Sequence, residues 1–234
     1  MNKWLNNIHS LLYPPSCLLC AAPGVRGLDI CQGCLDTLPS LRVACHNCAL
    51  PLAGSAMHRL CGQCQQQPPA FDRTISLFRY QAPIAGLIQQ LKFNGRLAIA
   101  RSLGELLAQQ VLASDSRPQA IVPVPLHGAR LRERGFNQAL ELARPVAQAL
   151  QLPLLTRHCQ RIRATTAQTA LSAKQRRKNI RGVFQVVQPL PARHVAIVDD
   201  VMTTGQTVNE LAKTLRKAGA TQIDVWICAR AELD

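Results

Sequence analysis

At 234 residues the chain has room for one domain of about 150 residues and a small appendage. Its apolar fraction of 47% is enough to bury a core, yet no apolar run approaches the ~20 residues of a membrane helix, which excludes a helical membrane-spanning protein. A formal charge of +14 points toward a polyanionic ligand, either nucleic acid or clustered phosphates.

The first dozen residues set Trp4, Leu5, Ile8, Leu11 and Leu12 at helical spacing, which predicts a short helix packing on its own protein. That stretch has one Lys and no small-residue cleavage site, so it makes a poor signal peptide and a cytoplasmic location is expected. Eight of the ten cysteines follow as four Cys-x-x-Cys pairs: Cys17/Cys20, Cys31/Cys34, Cys45/Cys48 and Cys61/Cys64. In a chain without an export signal this spacing favours zinc over disulfides or an iron–sulfur cluster. Two intervening residues let both sulfurs reach one tetrahedral ion about 2.3 Å away. Eight ligands make two four-cysteine sites; sequential pairing (first pair with second, third with fourth) is preferred, with an interleaved set as the alternative. The region has too few large apolar residues for a core of its own, so metal must supply much of its stability. Cys159 and Cys228 have no partner in sequence and read as buried thiols.

Gln65 to Phe71, QQQPPAF, reads as a junction, because its two prolines resist helix and sheet alike. It divides a cysteine-rich region, 1–68, from a second domain, 69–234. Beyond the junction, strands are predicted at Thr74 to Tyr80, Ala120 to Pro125, Val183 to Val187, Val195 to Val198 and Gln222 to Cys228. Helices are predicted at Ile84 to Lys92, Ala98 to Leu112, about Asn137 to Leu150, and Thr207 to Lys217, the last closed by Gly219. On the second of these, Ile99, Leu103, Leu106 and Leu107 share one face. Such alternation predicts an α/β domain, a mainly parallel sheet with helices on both faces.

The run Val195 to Val198 has the continuous apolar character of a strand covered on both sides. Asp199 and Asp200 follow at once, then Thr203, Thr204, Gly205, Gln206 and Thr207, and then helical periodicity through Val208, Leu211, Ala212 and Leu215. Free N–H groups at such a helix start can hold a phosphate, and Gly205 lets the backbone approach it closely. Two acids beside a phosphate cradle make sense when the ligand also presents hydroxyls, as a ribose diol does. No Lys follows the glycine, which excludes a Walker A loop, and no Gly-x-Gly-x-x-Gly is present. The plain alternative is a buried strand and a capped turn with solvated acids.

Upstream, VPVPLHGARLRERGFNQ is predicted to deliver Arg130, Arg132 and Arg134 on a loop closed by Gly135, Phe136 and Asn137. The segment Arg161 to Phe184 is polar and carries Arg163, Lys174, Arg176, Arg177, Lys178 and Arg181. Between Leu126 and Phe184 there are 12 Lys/Arg against two acids, Glu133 and Glu141. A solvated face, or generic attraction to nucleic acid, would account for such charge without any fixed spacing.

The segment VAIVDDVMTTGQT resembles the phosphoribosyl-pyrophosphate motif of type I phosphoribosyltransferases, with Ala196 smaller than the usual aliphatic. By that resemblance Asp199 and Asp200 bind the ribose hydroxyls, and Thr203, Thr204, Gly205, Gln206 and Thr207 wrap the 5′-phosphate. The whole chain is similar to the ComF/GntX family, in which a zinc region precedes a phosphoribosyltransferase-like domain. The likeness rests on the cysteine pairs, LKFNGR (Leu91 to Arg96), PVPL with RGFNQ, the phosphate loop, and Arg163, Thr165, Gln168, Leu171, Ser172, Arg176, Asn179 and Phe184. It implies a role in uptake or use of external DNA, with single-stranded DNA or uptake-machinery proteins as partners. It also implies Arg132, Arg134, Arg163 and Arg176 on pyrophosphate and closing loops, with Mg²⁺ carried mainly by the phosphoribosyl pyrophosphate itself. If the chain is an enzyme, a nitrogen nucleophile displaces pyrophosphate from ribose C1; the acceptor is unspecified. Non-catalytic nucleotide sensing, DNA or partner binding through zinc region and basic loops, and a vestigial loop are the alternatives. Only nine Phe, Trp and Tyr are present, which argues against an extensive base-stacking platform.

Overall fold

The computed structural model describes residues 15–25, 27–54, 60–164 and 180–232. The helix predicted for the first dozen residues lies outside these, as does 165–179, which contains Arg176. The cysteine-rich region is mostly turns and carries two short helices, α1 (Gln32–Thr37) and α2 (Gly62–Gln66). Each begins directly after a cysteine, Cys31 or Cys61.

From Arg73 the chain alternates. The elements are β1 (Arg73–Arg79), α3 (Ile84–Asn94), α4 (Leu97–Leu112), β2 (Ala120–Pro123), α5 (Gly128–Arg134) and α6 (Gln138–Leu150). They continue as β3 (Cys159–Arg161), β4 (Phe184–Val186), β5 (His194–Met202), α7 (Gln206–Lys217) and β6 (Gln222–Arg230). Four strands form a wholly parallel sheet in the order β1-β6-β5-β2. Period-two alternation sends Ala196, Val198, Trp226 and Cys228 to one face, packed with residues of α3, α4 and α6. Val195, Ile197, Ile223, Val225 and Ile227 go to the other, against α7 and the β3–β4 ribbon. Helices therefore cover both faces, as expected. Cys159 and Cys228 are both buried and free.

Two expectations need correction. The arginines 130, 132 and 134 ride on a helix, α5, rather than on a loop. His127 caps its start by accepting from the Ala129 N–H, and Gly135, at φ 82°, ends it. No proline separates those two caps, and Gly128 stands at the first helical position rather than inside, so the short turn closes as helix. Second, β5 does not stop at Val198 but continues through both acids to Met202, because β6 runs beside it to Arg230. Asp199 and Asp200 therefore sit on a paired strand end, with less backbone freedom than in a loop.

The cysteine-rich region is docked rather than tethered. Residues 39–47 run along β1, where the Leu41 N–H donates to the Leu77 carbonyl (3.0 Å) and the Arg79 N–H to the Pro39 carbonyl (2.8 Å). The Thr74 N–H donates to the His46 carbonyl (3.0 Å). These bonds cover an otherwise open sheet edge. The junction is tied down too: Asn209 accepts from the Ala70 N–H (2.7 Å), and Arg216 holds Asp72 at 2.7 and 2.8 Å. No helix among the described residues is long and apolar enough to cross a membrane.

Candidate functional site

The cysteines sort by sequence neighbourhood. Cys17, Cys20, Cys31 and Cys34 form one cluster, and Cys45, Cys48, Cys61 and Cys64 the other, with the sulfurs of each within 4.8 Å of one another. Cys20 and Cys31 sulfurs are 3.5 Å apart, Cys48 and Cys61 sulfurs 3.6 Å. Four sulfurs at about 2.3 Å from a tetrahedral zinc stand about 3.8 Å apart, so both clusters fit the ion. These are two four-cysteine zinc sites with the sequential pairing. Backbone N–H groups favour the thiolate in both. Burial raises the Cys17 thiol, but the N–H groups of Cys31, Leu19 and Cys20 bring it down to about 6. Cys45, also raised by burial, is brought to about 7 by N–H groups of Cys48 and Cys61.

At the carboxyl end of the parallel sheet, β5 brings Asp199 and Asp200 to 8% and 3% exposure. The Asp200 N–H donates to Asp199 Oδ1 at 2.9 Å. Burial, with the adjacent charge of Asp200, holds the Asp199 carboxyl well above the usual carboxylate range, although Lys92 pulls the other way. Lys92, from the last turn of α3, forms an ion pair with Asp200. Burial alone would lower that ammonium, but Asp200 and then Asp199 raise it overall. Gln138, at the start of α6, donates to Asp200 Oδ1 at 3.2 Å and accepts from Arg134. A chain of contacts thus runs from Arg134 through Gln138 to Asp200 and Lys92.

Beyond Met202 the backbone turns at residues 203–205 and enters α7. Gly205 is the N-cap at φ 73°, a conformation in which side-chain-bearing residues are disfavoured. The amides of Gln206 and Thr207 lie in the first turn of this 12-residue helix, where N–H groups lack helical acceptors. Gly205→Ala is expected to lower stability by about 1–2 kcal/mol through the left-handed backbone alone. The new Cβ would otherwise make only ordinary contact, 3.4 Å from the Met202 sulfur. Urea denaturation measures the first effect, and ribose 5-phosphate titration shows whether the turn is spoiled for an anion.

The predicted arginines divide. Arg134 reaches the acid pair through Gln138, whereas Arg132 is exposed and makes no ion pair with either acid. Arg163 donates to the Arg181 carbonyl, and the Ile162 N–H donates to the Val183 carbonyl at 2.8 Å. Both ends of the Arg161 to Phe184 segment are thereby held together at the β3–β4 ribbon. Its tip, Arg176 included, is outside the described residues. Arg161, its pKa lowered by burial and the shift partly offset by the charge of Asp199, has its guanidinium 5.7 Å over the Phe184 ring.

Lys92, Gln138 and Arg161 were not singled out individually by the sequence, although LKFNGR and RGFNQ contain the first two. A lysine at a helix end and a glutamine at a helix start look like ordinary surface residues until the fold aims them at Asp200. A recess of about 140 Å³ opens beside Lys92, lined also by Phe93, Arg130, Glu133, Arg134 and Phe136. Phe93 is 78% exposed there. A larger cleft, about 850 Å³, separates the second zinc site from α7 and carries Arg181, Lys213, Lys217 and Glu210. Thr204 and Gly205 line it as well, so it communicates with the turn.

Comparison with known proteins agrees with this arrangement. The double zinc ribbon domain matches residues 8–65. DNA utilization protein YhgH of Escherichia coli K12 is 38% identical over 226 residues, covering 94% of this chain and 99% of that protein. Competence protein F of Haemophilus influenzae is 39% identical over 86% of this chain and 90% of its own length. Competence protein ComFC of Streptococcus pneumoniae is 24% identical over 87% and 82%. A solved glutamine phosphoribosylpyrophosphate amidotransferase from B. subtilis, complexed with ADP and GMP, overlaps 55% of this chain and 25% of its own. Its identity is 24% and its TM-score 0.38, too loose a likeness to bear on function. Sequence identity across nearly the full length of the first two relatives, together with the paired zinc sites, places this chain in the ComF/GntX family of competence and DNA utilization proteins.

Proposed function

We propose that the end of β5 and the start of α7 bind the ribose 5-phosphate portion of phosphoribosyl pyrophosphate or a related nucleotide, in the service of external-DNA use. One observation carries this reading: a buried acid pair and an amide-lined, glycine-capped turn meet at the carboxyl edge of a parallel sheet. Phosphate needs the amides of the turn, and hydroxyls need the carboxylates. Few other ligands ask for both within nine residues.

The ribose diol would replace Gln138 and Lys92 as donors to Asp200, leaving the ammonium beside the ring to face the pyrophosphate. Arg134 and Arg161 add positive charge on either side, where a leaving pyrophosphate would develop negative charge. Asp199 and Asp200 orient the sugar. Among the described residues no cage of protein carboxylates is available for Mg²⁺, only the two cysteine clusters gather three or more metal ligands. Mg²⁺ would therefore arrive on the substrate oxygens, where it neutralises pyrophosphate charge.

Calorimetric titration with phosphoribosyl pyrophosphate and ribose 5-phosphate, with and without Mg²⁺, tests the binding. Micromolar to low-millimolar affinity is expected, and no heat from zinc-loaded protein would overturn the reading. Pyrophosphate release across nucleobases, amines and DNA then separates a transferase from a sensor. A second reading, a nucleotide-sensing or DNA-binding accessory, is favoured by the cationic cleft beside the second ribbon. Its lysines come from α7, outside the arginine-rich stretch that the sequence emphasised. DNA retention there should fall steeply with salt and survive Asp200→Asn.

A further inference from the structure

Arg230 ends β6 with 2% of its surface exposed. Its Nε donates to the carbonyl of Cys48, a ligand of the second zinc site, at 2.8 Å. From Nη1 it donates to the carbonyls of Met202 (3.1 Å), Thr203 and Ala231. Met202 is the last residue of β5, and Thr203 is the first of the turn that leads to Gly205. One side chain therefore bolts a metal knuckle to the entrance of the phosphate-binding turn. Its backbone is pinned as well, since the Tyr80 N–H donates to the Arg230 carbonyl at 2.8 Å.

All four side-chain acceptors are neutral, and no ion pair with a carboxylate is formed by Arg230 among the described residues. A guanidinium so deeply buried is strongly disfavoured unless opposite charge stands nearby. Zinc with four thiolates has a net charge of −2, and Cys48 is one of the four. Among the described residues the first zinc site has no such link to the turn. Its neighbourhood docks on α4, where Asp29 accepts from Arg101 and the Asp29 N–H donates to the Ser102 hydroxyl at 3.1 Å.

We propose that Arg230 is a positioning residue that couples metal occupancy of the second zinc site to the geometry of the phosphate-binding turn. Loading the site orders the Cys45–Cys48 knuckle and supplies the counter-charge for Arg230. Held in place, Arg230 fixes the Met202 and Thr203 carbonyls, and through them the direction of the amides that follow. The ligand arm of the test rests on the ribose-phosphate reading; the coupling itself does not.

The experiment compares full-length zinc-loaded protein with Cys64→Ser (second site), Cys20→Ser (first site) and Arg230→Met. Two quantities are followed: hydrogen exchange of amides 203–208 without ligand, and affinity for ribose 5-phosphate. Cys64→Ser should accelerate exchange in the turn and weaken ribose 5-phosphate, each by about tenfold or more. Cys20→Ser should accelerate exchange in 17–34 and leave 203–208 within about twofold. Arg230→Met should still hold two zincs yet reproduce the Cys64→Ser effect on the turn, and the double variant should add nothing further. Unchanged exchange in the turn after second-site loss would overturn the proposal, as would equal responses to loss of either site or additive effects in the double variant. Should Arg230→Met fail to fold, the comparison of Cys64→Ser with Cys20→Ser decides alone. A wild-type chain that does not bind ribose 5-phosphate refutes the ligand reading, and the exchange data still decide the coupling.

Discussion

Removing zinc with a strong chelator is expected to unfold the cysteine-rich region while most of the α/β sheet remains folded. Among the described residues, the buried cluster of the second ribbon is Cys45, Cys61 and Cys64, with Cys48, Leu50 and Leu52 packed against it. Nothing of that size can offset the entropy of ordering a region of several tens of residues. Structural zinc contributes on the order of 10 kcal/mol in small zinc modules, comparable to the whole stability of a domain. Exchange should therefore become fast across 17–64, and β1 should lose the protection given by residues 39–47. Strands β5 and β6, buried on both faces, should stay protected. Metal analysis should give two zincs per chain, and well under two would contradict both cluster assignments. Uptake should also expel protons. Hydrogen bonding from Cys20 and Cys31 pushes Cys34 up to about 12, and burial raises Cys48 to about 11, so the metal-free clusters retain protons that zinc must displace. Affinity accordingly falls as pH is lowered, and proton release in weak buffer measures it.

Asp199→Asn should abolish ribose-phosphate binding and, at neutral pH, stabilise the fold. A carboxylate that accepts two hydroxyls contributes about 3–6 kcal/mol, so affinity should drop on the order of a hundredfold or more. The stability effect has the opposite sign. The folded carboxyl is raised above its usual 3.8, foremost by burial and then by Asp200. The folded state thus binds the proton more tightly than the unfolded chain does. Stability from this group is fully present below about pH 4 and is lost as pH rises through the folded value. Asparagine cannot ionise, so the advantage of the variant should widen with rising pH across that window. Urea denaturation at several pH values checks this. A variant less stable than the parent throughout would mean that the carboxylate is held as a charge by its surroundings.

Some elements were readable without coordinates because their signals are local. The four Cys-x-x-Cys pairs fix ligand identity and count, since two residues are the span over which both sulfurs reach one ion. The helices read at 84–92 and 98–112 from apolar periodicity are found over 84–94 and 97–112, and Asn137 marks the next helix start by capping the Ala139 N–H at 3.0 Å. The turn at Gly205 announces itself through Gly after two threonines and before an amphipathic run. The loop predicted for Arg130 to Arg134 failed because two caps with seven residues between them leave no periodicity to read. The short β3 strand escaped notice because its three residues gain meaning only from pairing with β4 across the segment between them.

The sequence by itself determined which chemistry is present: eight thiolates in two sites, an acid pair, and a hydroxyl- and glycine-containing turn after an apolar strand. Each of those depends on residues within a few positions of one another. Tertiary structure decided what surrounds that turn. It ran β5 on through Asp199 and Asp200, brought Lys92 and Gln138 to Asp200 from two helices, and chose Arg134 and Arg161 over the exposed Arg132. It also joined Cys48 to Thr203 through Arg230, residues 182 and 27 positions from that arginine. Contacts at such separations arise from sheet order and docking, and no local spacing encodes them.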